Sequence, residues 1–193
     1  MTEKQEEAIR ELTNRLSAIT DDMAQYWQTY SHIGTWQFWA ILALFIVPLI
    51  VLGFKVDRQR ALLIGFYGFA IHVIATYVDS YATTHRMWEY PFKSTPFFPT
   101  SLGLDTSLIP VIYMLFYQWT IKNHKNYYLY LGILCLFFAF LFKPLLSWLD
   151  LFKLVESSYI ALFMFYFTGG LLGKWVTDLF RLIQERSGTQ SNI

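Results

Sequence analysis

Seven side chains in this sequence are placed to do chemistry: His72, Asp79, Glu89, Asp105, Tyr113, Tyr117 and Lys143. All lie in or beside long apolar runs. Ionisable groups are costly in such surroundings, so they are the first place to look for function. Gly65, Gly68, His72, Ala75, Thr76 and Asp79 follow the i, i+3, i+4, i+7 spacing of one helical face. Asp79 lies about 10 Å beyond His72 at 1.5 Å per residue. A neutral imidazole donates one hydrogen bond and accepts one. His72 can therefore satisfy itself across a helix interface, or it can relay a proton.

Thr106, Pro110, Tyr113 and Tyr117 share a second face, whose tyrosine hydroxyls need partners once buried. Asp105 opens that run and suits a helix N-cap, where the helix dipole favours its charge. Lys143 stands about one turn from the end of its run. It can snorkel to the lipid headgroups, or pair with Asp79, Asp105 or Glu89. Asp79, Glu89, Asp105 and Lys143 are expected at one end of a helical bundle, with His72 and the tyrosines beneath them. Two readings compete: a polar, aromatic-lined pocket for a lipid or small amphipathic ligand, or a set of caps and salt bridges that fix helix ends.

The elements that must position these groups are membrane spans. Residues 34–54 hold no charge over 21 positions, enough helix to cross a hydrocarbon core of about 30 Å. Similar segments recur at 61–79, 105–121, 127–147 and 157–178. The expected fold is an all-α integral membrane bundle of five transmembrane helices. Residues 1–33 form an amphipathic heptad helix, 34–180 the five-span domain and 181–193 a short cytoplasmic tail. The first 33 residues lack an apolar signal-peptide core, so the first span is expected to serve as the targeting signal.

Lys55, Arg58, Arg60, Lys122, Lys125, Lys174, Arg181 and Arg186 fall on one side of this layout, against Arg86, Lys93, Lys143 and Lys153 on the other. The positive-inside rule then puts the N-terminus outside and the C-terminus in the cytoplasm. Trp36, Trp39, Trp88, Trp119, Trp148, Trp175 and Tyr127, Tyr128 and Tyr130 sit near span ends, as an interfacial aromatic belt would. Gly169, Gly170 and Gly173 include one GxxxG and point to close helix contact. The connection 80–104 carries Pro91, Pro96 and Pro99 and the aromatics Tyr81, Trp88, Tyr90, Phe92, Phe97 and Phe98. It is expected to fold back over the outer face as a lid.

Ile9, Leu12, Leu16, Ile19, Met23, Tyr26 and Tyr30 are spaced alternately by three and four, an a/d heptad stripe. Two readings stay open. One is a coiled coil with a second copy or another protein. The other is an amphipathic helix lying on the membrane or folded over its own bundle. Residues 1–30 hold six acids and three bases, whereas an interfacial helix usually carries a basic face, which favours the coiled coil.

Composition narrows the classes. The chain is 55% hydrophobic and 15% charged with a net charge of +1, so a nucleic-acid partner is not expected. Cys135 is the single cysteine, and neither HExxH, an HxxxH pair nor DDxxD occurs, so no metal and no cofactor is expected.

Asp79, the run Trp88-Glu89-Tyr90-Pro91, Pro99, Asp105, Ser107, Pro110, Tyr113, Tyr117 and Lys143-Pro144 together resemble a family of small multi-span membrane proteins of unknown function from spore-forming firmicute bacteria. The resemblance covers about half the chain. It implies a bacterial cytoplasmic membrane and a link to sporulation or envelope biology.

Three functions follow in order of support. The first is a non-enzymatic membrane protein that binds a lipid or amphipathic ligand, or scaffolds partners through Ile9, Leu12, Leu16, Ile19 and Met23. The second is a membrane enzyme acting on a lipid or isoprenoid, with Asp79, Glu89 or Asp105 as acid or base. The third is a proton-coupled transporter working as a homo-oligomer.

Overall fold

The computed structural model describes residues 1–97 and 100–190, with side chains to 186; Phe98 and Pro99 of the expected lid lie outside it, as do residues 191–193 of the tail. Among the described residues the regular structure is helical apart from one two-stranded ribbon. Among the described residues, four helices are long and apolar enough to cross a membrane: Trp36–Lys55, Arg58–Thr84, Tyr127–Trp148 and Tyr159–Arg186.

Helix α1 (Glu3–Tyr30) starts on a capping box, in which Thr2 and Gln5 satisfy each other's backbone amides. It buries no residue. Ile9, Leu12, Leu16 and Ile19 are each more than half exposed, so the stripe is not folded over its own bundle. Only the last turns touch the rest of the chain: the Trp27 indole donates to the Lys93 carbonyl at 2.9 Å.

Helix α2 (Trp36–Lys55) is capped by Thr35 and buries only Ile41 and Pro48. Its exposed apolar surface is what a lipid-facing helix requires. Helix α3 (Ala61–Thr84) packs most heavily on α4 (Ile109–Lys122) and α7 (Tyr159–Gln190). Helix α4 is not among the four long apolar helices. It is a 14-residue helix behind a five-residue π turn, Leu104–Leu108. It buries Tyr113, Tyr117 and Thr120 alongside its apolar residues, as fits an internal helix. Helix α5 (Tyr127–Phe137) continues through a second π turn, Phe138–Phe142, into α6 (Lys143–Trp148). Helix α7 carries on to Gln190, so residues 181–190 of the expected tail are helical.

Both π turns are dictated by proline. Pro110 and Pro144 each sit two residues after a turn ends. A proline inside a helix lacks its amide hydrogen, and its ring crowds the carbonyl four residues back. Widening the helix by one residue per turn relieves that clash, and single π turns recur at functional sites.

Helices α3, α4 and α6 stop in the same way. Arg86, His124 and Asp150 adopt left-handed backbone (φ 55°, 51° and 58°). Each is followed by an amide that bonds five residues back: Met87 to Ala82, Lys125 to Thr120 and Leu151 to Leu146. This is the Schellman stop, usually made with glycine. Two of these stops, at Arg86 and Asp150, each lie just before a strand, and the Arg86 carbonyl accepts from the Glu156 amide across the ribbon. They turn the chain into strands β1 (Trp88–Glu89) and β2 (Lys153–Leu154), which pair antiparallel with Trp88 opposite Leu154.

Candidate functional site

The site forms where this ribbon meets the ends of α3, α4 and α6. Asp79, in the penultimate turn of α3, is buried and accepts three hydrogen bonds. The Trp88 indole and the Tyr90 hydroxyl donate to its Oδ1, both at 2.7 Å, and the Ser101 amide reaches Oδ2 at 3.4 Å. The connection after α3 therefore folds back over this face as expected, fixed by Asp79. Trp88 is no belt anchor: it is buried, and its N–H is spent on the carboxylate.

Lys143 directly follows the second π turn. Its ammonium donates to the Tyr90 hydroxyl at 3.2 Å and stands 3.9 Å from the centre of the Phe152 ring. It does not snorkel, being buried. It does not pair directly with a carboxylate either. Among the described residues the ion pairs are Arg15–Glu11, Lys174–Asp178 and Arg181–Glu185, all within single helices. The charges are joined in series instead: Lys143 donates to Tyr90, and Tyr90 donates to Asp79. Burial and the Asp79 charge push the Tyr90 phenol well above its ordinary pKa, so it remains a hydroxyl and keeps this direction.

Asp105 is not the expected N-cap. Its amide already bonds to the Ser101 carbonyl at 3.0 Å, and it sits inside the π turn. The turn also explains His72. The Ile109 amide bonds to the Leu104 carbonyl, five residues back. Pro110 would serve the Asp105 carbonyl next, but has no hydrogen to give. His72 Nδ1 takes over at 2.9 Å. A carbonyl only accepts, so the His72 proton sits on Nδ1. His72 is thus a helix-mending residue whose shorter polar contact is with backbone, with the Thr76 hydroxyl 3.4 Å from the same nitrogen.

The carboxyl of Asp105 is different. It is buried beside Asp79 and Lys143, and its Oδ2 has no hydrogen-bond partner. A cavity of about 50 Å³ adjoins it. Asp79, Trp88, Tyr90, Asp105, Tyr113 and Lys143 form its polar end. Ile74, Ala75, Val78, Phe165 and Gly169 form an apolar end at the seam between α3 and α7. The volume suits a few water molecules or one small polar group. Two carboxyls against one ammonium leave room for a cation or a proton.

Of the residues expected to meet, Asp79, Asp105, Tyr113 and Lys143 do. Glu89 lies outward, across the ribbon from Lys153. Tyr117 is in the other half of the bundle, stacked on Tyr67 at 4.3 Å between ring centres. There Tyr127 ties in as well, bonding the Tyr67 hydroxyl at 2.7 Å and the Gly170 carbonyl at 2.8 Å. Tyr113 stands in the cavity wall but gives its proton to the Tyr166 carbonyl at 2.9 Å. Trp88, Tyr90 and Tyr166 are the site residues that sequence reasoning did not single out. The signal available was the excess of aromatics in 80–104, too many for a solvated tether.

Among the described residues, no three His, Cys, Asp or Glu side chains stand close enough to hold a metal ion. Set against known protein families, curated proteins and solved structures, the chain matches none.

Proposed function

We propose that this chain is a non-enzymatic multi-pass membrane protein that holds a lipid or small amphipathic molecule at the α3–α7 seam. Its small polar head fills the cavity of about 50 Å³ and donates a hydrogen bond to Asp105, while its apolar part runs out past Ile74 and Phe165 along the lipid-facing surface of α3 and α7. The observation that carries this reading is the buried, unpartnered Asp105 Oδ2 at the end of an apolar cleft. A buried acceptor left unsatisfied costs roughly 1–3 kcal/mol, and a donor head group, either hydroxyl or amine, would recover that.

In the same reading, α4 completes a five-span bundle with the N-terminus outside. The protein resides in a bacterial cytoplasmic membrane of the spore-forming firmicute type that its sequence resembles. The residues carrying that resemblance include Asp79, Trp88, Tyr90, Asp105 and Lys143, which are the ones that meet here.

The test is native mass spectrometry of the protein released from lipid nanodiscs. Wild type is expected to retain a reproducible amphiphile, and Asp105→Leu to lose it while keeping its oligomeric mass. Equal retention by both proteins would sink the reading. Scaffolding through α1 is supported separately by the exposed heptad stripe and joins this function as a second role.

A further inference from the structure

A second, larger cavity of about 490 Å³ lies outward of the first. Trp88 and Tyr90 line both, so one layer of side chains separates them. The outer cavity is walled by the last turns of α1, the connection after β1, and the ribbon. Its charged groups are Lys93, Lys153 and Glu89, and its aromatic wall includes Tyr26 and Trp27. The Trp27 bond to the Lys93 carbonyl pins α1 against the loop and fixes the far wall.

Two ammonium groups against one carboxylate give this cavity an excess positive charge. Lys93 is partly buried, yet among the described residues no carboxylate lies within 4.0 Å of it or of Lys153. Burial lowers the Lys93 amine from the ordinary lysine range, with the Asp79 charge beneath it working the other way. The cavity opens at the end of the bundle where α2 begins. There Trp36 and Trp39 stand exposed, as aromatics do at the depth of lipid headgroups.

We infer that the outer cavity is a binding site for a phosphate group, held by Lys93 and Lys153 and opposed by Glu89. The volume leaves room for the substituent the phosphate carries, against Tyr26 and Trp27. This site shares no charged residue with the Asp105 cleft, and it stands or falls separately from the amphiphile reading.

The test uses the full chain in two kinds of nanodisc. In discs mixing phosphatidylglycerol with phosphatidylcholine, native mass spectrometry counts the phosphatidylglycerol retained. In discs of phosphatidylcholine alone, calorimetric titration with inorganic phosphate reads soluble anion binding. Juxtamembrane lysines contribute enough that losing two should reduce binding about thirtyfold. Lys93→Gln/Lys153→Gln is expected to show that loss, and Glu89→Gln is expected to bind more strongly than wild type. A purely structural role for Glu89 would not raise binding. Loss confined to phosphatidylglycerol identifies a lipid headgroup, whereas loss in the phosphate titration identifies a soluble phosphate. If neither probe binds, or if both variants bind like wild type, the inference is overturned. Should the double lysine variant not fold, the direction of the Glu89→Gln change decides alone.

Discussion

Removing the single hydroxyl of Tyr90 should loosen the whole end of the bundle that carries the ribbon. In Tyr90→Phe, Asp79 loses one of two 2.7 Å donors and Lys143 loses the acceptor at 3.2 Å. Each hydrogen bond to a charged group contributes roughly 1.5–3 kcal/mol. Two of them, with Lys143 left over the rings of Phe152 and residue 90, give a loss of roughly 3–5 kcal/mol. For a chain of this length, each kcal/mol moves Tm by roughly 2–4 °C, so a fall of about 10 °C is expected. The assay is thermal unfolding in nanodiscs, followed by tryptophan fluorescence, with Trp88 reporting directly.

A mutant cycle sharpens this test. Asp79→Asn and Lys143→Met should each destabilise, and the double variant should recover part of the loss. In a Tyr90→Phe background that coupling should fall to the direct Coulombic attraction between Lys143 and Asp79, because Tyr90 carries the hydrogen-bonded part. A Tm shift under about 2 °C for Tyr90→Phe, or coupling undiminished without the hydroxyl, would refute the series arrangement of Lys143, Tyr90 and Asp79.

Further outcomes follow from individual contacts. His72→Leu should lose roughly 1–3 kcal/mol by stripping the Asp105 carbonyl of its donor, and Pro110→Ala should restore part of it by supplying an amide; additive losses would count against the mending role. Gly103→Ala places a methyl 2.8 Å from the Ile41 carbonyl oxygen, a backbone atom that no rotamer change can clear, whereas Gly65 has nothing within 4 Å. Chemical unfolding should therefore show Gly103→Ala destabilised by roughly 1–3 kcal/mol and Gly65→Ala unchanged or stabilised by up to about 1 kcal/mol. Lys93, with its pKa lowered in the fold, weakens stability below that lowered value, and the penalty fades as pH climbs toward 10.5. Lys93→Met should thus raise Tm near pH 7, and its advantage should shrink at about pH 10; a constant gap would contradict the burial argument. Replacing Leu16 and Ile19 with Lys should abolish self-association measured by light scattering, and an unchanged mass would remove the stripe as a dimer interface.

The apolar runs determined on their own that this chain is a multi-helix membrane protein, because a stretch of 20 uncharged residues has one stable environment. The heptad spacing of Ile9 to Ile19 likewise marked an apolar helix face without saying what covers it, and in the fold it stands exposed. Asp79, Asp105, Tyr113 and Lys143 were legible as residues that would meet, because charge and hydroxyl are conspicuous against an apolar background, and they line one cavity. Partners were not legible. Trp88 looked like an interfacial anchor and Tyr90 like one of several aromatics in a lid, since aromatic side chains serve many purposes and nothing local distinguishes them. They reach Asp79 only because left-handed turns at Arg86 and Asp150 fold two strands together. The role of His72 depended on a missing proton 38 positions away in sequence, at Pro110. Hydrogen bonds across such separations are set by how helices stack and where they bulge. A linear pattern records which groups need partners, and only the packed bundle decides which partners they get.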